Sequence, residues 1–149
     1  MKAFIFRFVG VVFCALFMMA ASSQDAALSL ARVSADELKW VAVPSGLQVA
    51  RIAGDQTKPG VYTYQAKFPA GAKVPPHFHP DERVIVIVSG TVYFGYGEQF
   101  DESKMKALSA GSSWTEPARQ PHFAWAKDGE AIIQVIGNGP SGTTPIPAK

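Results

Sequence analysis

Gly71-Ala72-Lys73-Val74-Pro75-Pro76-His77-Phe78-His79-Pro80-Asp81-Glu82-Arg83 carries two of the chain's three histidines with a single residue between them. Side chains alternate along an extended strand, so His77 and His79 fall on one face and Phe78 on the other. Two neutral imidazoles side by side suit a first-row metal, and a β-barrel interior can hold such rings in a fixed cluster. A lone His-x-His fits a solvated strand equally well. The third histidine ends a second stretch, Gly111-Ser112-Ser113-Trp114-Thr115-Glu116-Pro117-Ala118-Arg119-Gln120-Pro121-His122.

Working outward, Leu38 to Ala126 and beyond reads as short β-rich runs broken by Gly, Pro, Asp and Asn. The runs are Leu38 to Val43, Leu47 to Ile52, Val61 to Phe68, Arg83 to Ser89, Thr91 to Tyr96, Phe123 to Ala126 and Ala131 to Ile136. Short strands with turn signals between them predict an all-β sandwich or barrel. Val84 to Val88 is apolar on both faces, and Ser89-Gly90 before Thr91-Val92-Tyr93-Phe94 reads as a hairpin leaving a fully buried strand. Phe100 to Leu108 breaks the pattern: Asp101 as an N-cap with Met105 and Leu108 predicts one or two turns of helix inserted between strands. From Gly139 onward the tail is too rich in Pro and Gly for regular structure and is expected at the surface.

The 149 residues, 48% hydrophobic and 17% charged, suit one compact domain. The N-terminus is laid out as a secretory signal peptide over 1–23: Lys2 and Arg7 precede the apolar run Phe8 to Ala20, and small residues at Ala20, Ala21, Ser22 and Ser23 offer a cut near Ser22 to Gln24. The run is shorter than the roughly 20 residues a spanning helix needs. An arm over 24–37, a barrel over 38–140 and a tail over 141–149 complete the expected organisation. Cleavage removes Cys14, the only cysteine, so the mature chain forms no disulfide. Phe13 before that cysteine argues against a lipoprotein. With Lys2 and Arg7 gone, the formal charge of +2 falls to zero, and no basic cluster calls for nucleic acid. The expected location is periplasmic or secreted, with no membrane contact after cleavage.

Taken together, the two histidine stretches resemble the cupin superfamily, in particular its small single-domain RmlC-like barrels. The family's first motif is a glycine, five residues, His-x-His, three or four residues, a glutamate, six residues and a glycine. Gly71, His77, His79 and Gly90 match it. The second is a glycine, five residues, a proline, one residue, a glycine, two residues, a histidine, three residues and an asparagine. Gly111, Pro117 and His122 match, whereas Arg119 and Ala126 replace the glycine and the asparagine. The resemblance implies a double-stranded β-helix, or jelly-roll barrel, with His77, His79 and His122 as ligands of a divalent Fe, Mn, Zn, Ni or Cu ion. It also implies a homodimer, as does the doubly apolar strand.

One position departs informatively. Six residues before Gly90, where the family has its glutamate, stands Arg83; Glu82 lies one residue earlier. A one-residue shift turns a strand side chain to the other face. Either a bulge brings Glu82 inward as a fourth ligand, or Arg83 enters the cavity beside three histidines. The count to Gly90 favours the second. An inward guanidinium grips carboxylates or phosphates, so the expected substrate is a small anion oriented by Arg83. The same cation would weaken metal affinity.

Glu116 is the candidate acid or base, with a surface position as the plainer reading. Tyr62, Tyr64, Tyr93, Phe123 and Trp125 are candidates to wall a pocket or to pack the core, and Gln134 has no assigned face. No Gly-x-Ser-x-Gly elbow, Walker loop or His-Glu-x-x-His helix is present. The resemblance implies a metal-dependent enzyme of the dioxygenase, decarboxylase or isomerase type. A metal or small-ligand binder of the cell envelope and a structural barrel with a vestigial site are the alternatives.

Overall fold

Along Ala131-Ile132-Ile133-Gln134-Val135-Ile136-Gly137 every second residue is buried: Ala131, Ile133 and Val135 lie inside, while Ile132 and Gln134 are half-buried and Ile136 is exposed. That period of two marks a strand with one face on a core. A computed structural model of the chain describes residues 27–147. The signal peptide expected over 1–23 lies outside the described residues. Among those described, no helix is long and apolar enough to cross a membrane.

The strands run β1 (Val41–Ala42), β2 (Gln48–Ala53), β3 (Gly60–Phe68), β4 (Lys73–Phe78), β5 (Arg83–Ser89), β6 (Thr91–Tyr96), β7 (Lys106–Ser109), β8 (Ser113–Glu116), β9 (His122–Trp125), β10 (Ala131–Gly139) and β11 (Thr144–Pro145). They form two antiparallel sheets, ordered β1-β2-β3-β10-β5-β8 and β11-β4-β9-β6-β7. The inner faces meet in one core that includes Phe68, Ile85, Ile87, Val92, Phe94 and Val135. This is the all-β jelly-roll barrel expected from the sequence. Burying each large apolar side chain contributes about 1.5–3 kcal/mol, so the core offsets much of the entropy cost of ordering the chain.

Three local expectations are corrected. Ser89-Gly90 is not a hairpin turn, because β5 and β6 belong to different sheets. It is a corner where the chain crosses the barrel. Gly90 sits at φ +75, and a Cβ there would lie 2.3 Å from the Glu130 carbonyl oxygen, so the corner needs glycine. Next, β5 is not buried on both faces: Val84 and Val88 on its outer side are 47% and 46% exposed. Finally, the insertion after Phe100 holds only a 3-10 turn, Glu102–Lys104, capped by the Asp101 carboxylate accepting from the Ser103 N–H at 3.0 Å. Met105 ends that turn, and Leu108 already belongs to β7.

The tail lies at the surface as expected, but the expectation of no regular structure is corrected by the short strand β11. Beyond β10 the chain turns back, and Thr144 and Pro145 pair with Phe78 and His77. The Ile146 N–H donates to the Pro76 carbonyl at 3.0 Å. The tail is thus joined to the barrel at the strand that carries the histidines. In the arm, Ser34 caps a 3-10 turn, Ala35–Glu37, and the surrounding residues are exposed.

Candidate metal centre

Pro75 and Pro76 cannot donate to a sheet ladder, and β4 loses register with β9 between Val74 and His77. The irregularity leaves His77 directly across from His122. His79 follows just past the end of β4, on the same face as His77. The rings of His77 and His122 stand 4.4 Å apart, those of His77 and His79 4.9 Å, and those of His79 and His122 5.2 Å. One nitrogen from each imidazole falls within 4.8 Å of the others, in a grouping able to hold a metal ion.

The proton positions follow from the partners. His77 Nδ1 lies 2.8 Å from the Pro75 carbonyl, His79 Nδ1 2.6 Å from that of Gly142, and His122 Nδ1 2.9 Å from that of Gln120. A carbonyl oxygen only accepts, so each Nδ1 carries the proton and each Nε2 presents a lone pair. Burial pushes all three pKa values down; for His79, burial and then the Arg83 cation bring it to about 3. The imidazoles are neutral and ready to ligate at physiological pH. His122 Nε2 is buried without a hydrogen-bond partner, which costs free energy unless a cation fills the gap. The donor set therefore fits a divalent ion.

Of the two residues at the departure from the motif, Arg83 is buried and Glu82 is exposed. No bulge brings Glu82 inward: β5 and β8 pair without a slip at Arg83, and Glu82 is absent from the walls of the central cavity. Glu82 as a ligand is thus corrected. The carboxylate facing the histidines is Glu116, directly across the ladder from Arg83. Its Oε1 lies 3.4 Å from His122 Nε2 and its Oε2 3.7 Å from His79 Nε2. Trp114, two residues earlier and so on the same face, donates its indole N–H to Glu116 Oε1 at 3.0 Å. Burial raises the Glu116 pKa, against the Trp114 hydrogen bond and the Arg83 charge, which lower it.

Arg83 is held by a network that joins Asp81 and Tyr62 to Ser141, a tail residue that sequence reasoning did not single out. Its Nε lies 3.5 Å from Asp81 Oδ2, and its Nη2 donates to Ser141 Oγ. Asp81 in turn accepts from Tyr62 Oη and Ser141 Oγ, each at 2.5 Å. Gly137 makes room for this network, since a Cβ there would come 2.4 Å from Tyr62 Oη. The remaining end, Nη1, lies 3.5 Å from Tyr64 Oη and 3.9 Å from Glu116 Oε2. Burial works to lower the Arg83 pKa, yet Tyr64, Tyr62, Asp81 and Glu116 together hold it raised. The one buried cation thus lies against two buried carboxyl groups, Asp81 and Glu116. The weakening expected from an inward arginine is thereby offset by Asp81.

His77, His79, His122, Arg83 and Glu116 line a cavity of about 570 Å³, in the range that holds an organic ligand. The rest of its wall is mostly apolar, with Leu47, Val49, Phe68, Ile133 and Val135 among the lining residues. Tyr62 and Tyr64 line it too; Tyr93, Phe123 and Trp125 do not. Tyr93 and Trp125 instead lie under Lys127 on the outside of the second sheet. Gln134 is bonded to Thr63 on the outer face of the first.

A family model described as the cupin domain matches residues 64–136, which include both motifs and all three histidines. No functionally curated protein matches the chain by sequence. Solved structures do. An RmlC-like cupin from Shewanella frigidimarina is 19% identical with a TM-score of 0.60, over 75% of this chain and 94% of its own. KdgF from a Halomonas species is 24% identical with a TM-score of 0.59, over 70% and 91%. The polyketide cyclase RemF from Streptomyces resistomycificus is 15% identical with a TM-score of 0.68, over 81% and 88%. With the motif spacing, the two-sheet barrel and the domain match all falling on the same residues, this chain belongs to the cupin superfamily.

Proposed function

We propose that this protein is a metal-dependent enzyme acting on a small organic anion, with His77, His79 and His122 as the metal ligands. The observation that carries the reading is the convergence of three unprotonated Nε2 atoms, each fixed by a carbonyl behind it, on a roomy cavity. A divalent ion held by the three histidines would supply Lewis acidity or redox chemistry at the cavity. Arg83 offers Nη1, beside the Tyr64 hydroxyl, as the receptor for an anionic head. The apolar wall holds the organic body and excludes water. Glu116, facing the same histidines, completes the set of groups that touch metal or substrate.

Elemental analysis of protein purified without added metal tests the centre. The expected result is near one Fe, Mn, Zn, Ni or Cu per chain, lost in His122→Ala. Less than about a tenth of a metal per chain, with no tight rebinding, would sink the reading and leave a structural barrel. O2 uptake and product analysis over small carboxylates and phenols then separate an enzyme from a binder, which would hold such ligands without turnover.

Two further expectations join the proposal. Export to the periplasm or beyond is tested by fractionation and by the N-terminal sequence of the mature chain. A homodimer finds support in the exposed outer-face residues Val84, Val88 and Ile136, and sedimentation measures it.

A further inference from the structure

We propose that Glu116 is the fourth protein ligand of the metal centre, delivered from β8 across the ladder from Arg83, which occupies the β5 position where the motif has its carboxylate. The inference rests on the metal reading above and deepens it.

The strands set up the exchange. Arg83 and Glu116 are register partners in the β5–β8 ladder, and both are buried. A carboxylate moved from one to the other stays on the same wall of the barrel, one strand away. Arg83 does not compete for the centre, because Asp81 and Ser141 draw its Nε and Nη2 away from the histidines. Glu116 meanwhile reaches toward two of them.

Its contacts with them lack a hydrogen. His122 Nε2 and His79 Nε2 bear lone pairs, since the proton of each ring is committed at Nδ1. A carboxylate also only accepts. Two acceptor groups therefore face one another at 3.4 and 3.7 Å in a buried site with no donor between them. With Glu116 ionised, that arrangement is repulsive unless a proton or a metal cation lies between. The spacing suits a metal cation: two donors each about 2.1 Å from a first-row ion at a tetrahedral angle are about 3.4 Å apart. The Trp114 indole N–H holds the carboxylate in this orientation from behind, as outer partners of metal ligands generally do.

The test uses the metal-free full-length mature protein, with Zn(II) affinity measured against a chelating dye and the visible spectrum of bound Co(II) recording the donor set. Glu116→Gln keeps the shape and an oxygen for Trp114, and is expected to weaken Zn(II) binding by about a hundredfold and to alter the Co(II) spectrum. Glu82→Gln is expected to change neither. Combining Arg83→Glu with Glu116→Gln returns a carboxylate to β5 and should recover at least about tenfold of the lost affinity. Near-UV circular dichroism establishes that each variant is folded, and Glu116→Asp, with its shorter reach, provides a second loss of affinity. If Glu116→Gln binds Zn(II) as the wild type does with the same Co(II) spectrum, while His122→Ala loses both ions, three histidines suffice and this inference is overturned. If the wild type itself takes up neither ion, the metal reading falls first and takes the inference with it.

Discussion

Replacing Asp81 by asparagine removes the charge that lets a cation sit inside the barrel. Asp81 and Arg83 are 8% and 7% exposed, so neither charge is relieved by water. The carboxylate meets Arg83 Nε at 3.5 Å and accepts from two hydroxyls at 2.5 Å. In Asp81→Asn one oxygen becomes an NH2 group, which opposes the O–H of either Tyr62 or Ser141. Breaking a buried pair from one side costs about 3–5 kcal/mol. Glu116 Oε2, 3.9 Å from Nη1, retains part of the compensation, which places the expected loss near the low end, about 3 kcal/mol. With a urea dependence of about 1.5–2 kcal/mol per molar for a domain of this size, the unfolding midpoint should fall by about 1.5–2 M. The measurement belongs in EDTA, because metal binding would add its own stabilisation. Asp81→Asn combined with Arg83→Met removes the stranded cation and should regain most of the loss. A single variant within about 1 kcal/mol of wild type, or a double variant no better than the single, would show that Arg83 does not depend on Asp81.

Three other outcomes are expected. Because the native His79 is depressed from 6.5 to about 3, the unfolded chain takes up the proton first as pH falls. The stability of the metal-free protein is therefore intact above about pH 6.5 and lost progressively toward pH 3, by roughly 2–3 kcal/mol at about pH 4.5 from this residue alone. Urea midpoints in EDTA for wild type and His79→Gln check it, since only the wild type should lose this increment. Gly90→Ala forces a Cβ to within 2.3 Å of the Glu130 carbonyl at a positive φ and should cost roughly 2–4 kcal/mol, read by thermal unfolding. Arg119, at φ 61 in the place of the motif's glycine, pays for a left-handed backbone, so Arg119→Gly should stabilise by about 0.5–1 kcal/mol in the same assay.

The residues legible in the sequence are those whose roles follow from local spacing. A period of two put His77 and His79 on one face, and the count from His79 to Gly90 put Arg83 rather than Glu82 inside. The seven expected runs each overlap an observed strand, because alternation along a half-buried strand is written within the strand itself. Glu116 was readable by the same rule: Trp114 is a large apolar residue two positions earlier, so one face of β8 carries both. What escaped depends on distant pairings. Ser89-Gly90 signals a turn whether the next strand pairs with β5 or crosses to the other sheet, and only the ladders of β10, β8 and β9 decide which. Ser141 and Gly142 lie about sixty residues from the groups they contact, in a segment whose Pro and Gly content speaks against regular structure but not against anchoring. Yet this segment provides the carbonyl that fixes the His79 tautomer and the hydroxyl that joins Asp81 to Arg83. The arginine first read as a threat to metal binding is therefore compatible with it for a non-local reason: its charge is answered by Asp81, held from β3 and the tail, while the carboxylate it displaced stands opposite on β8.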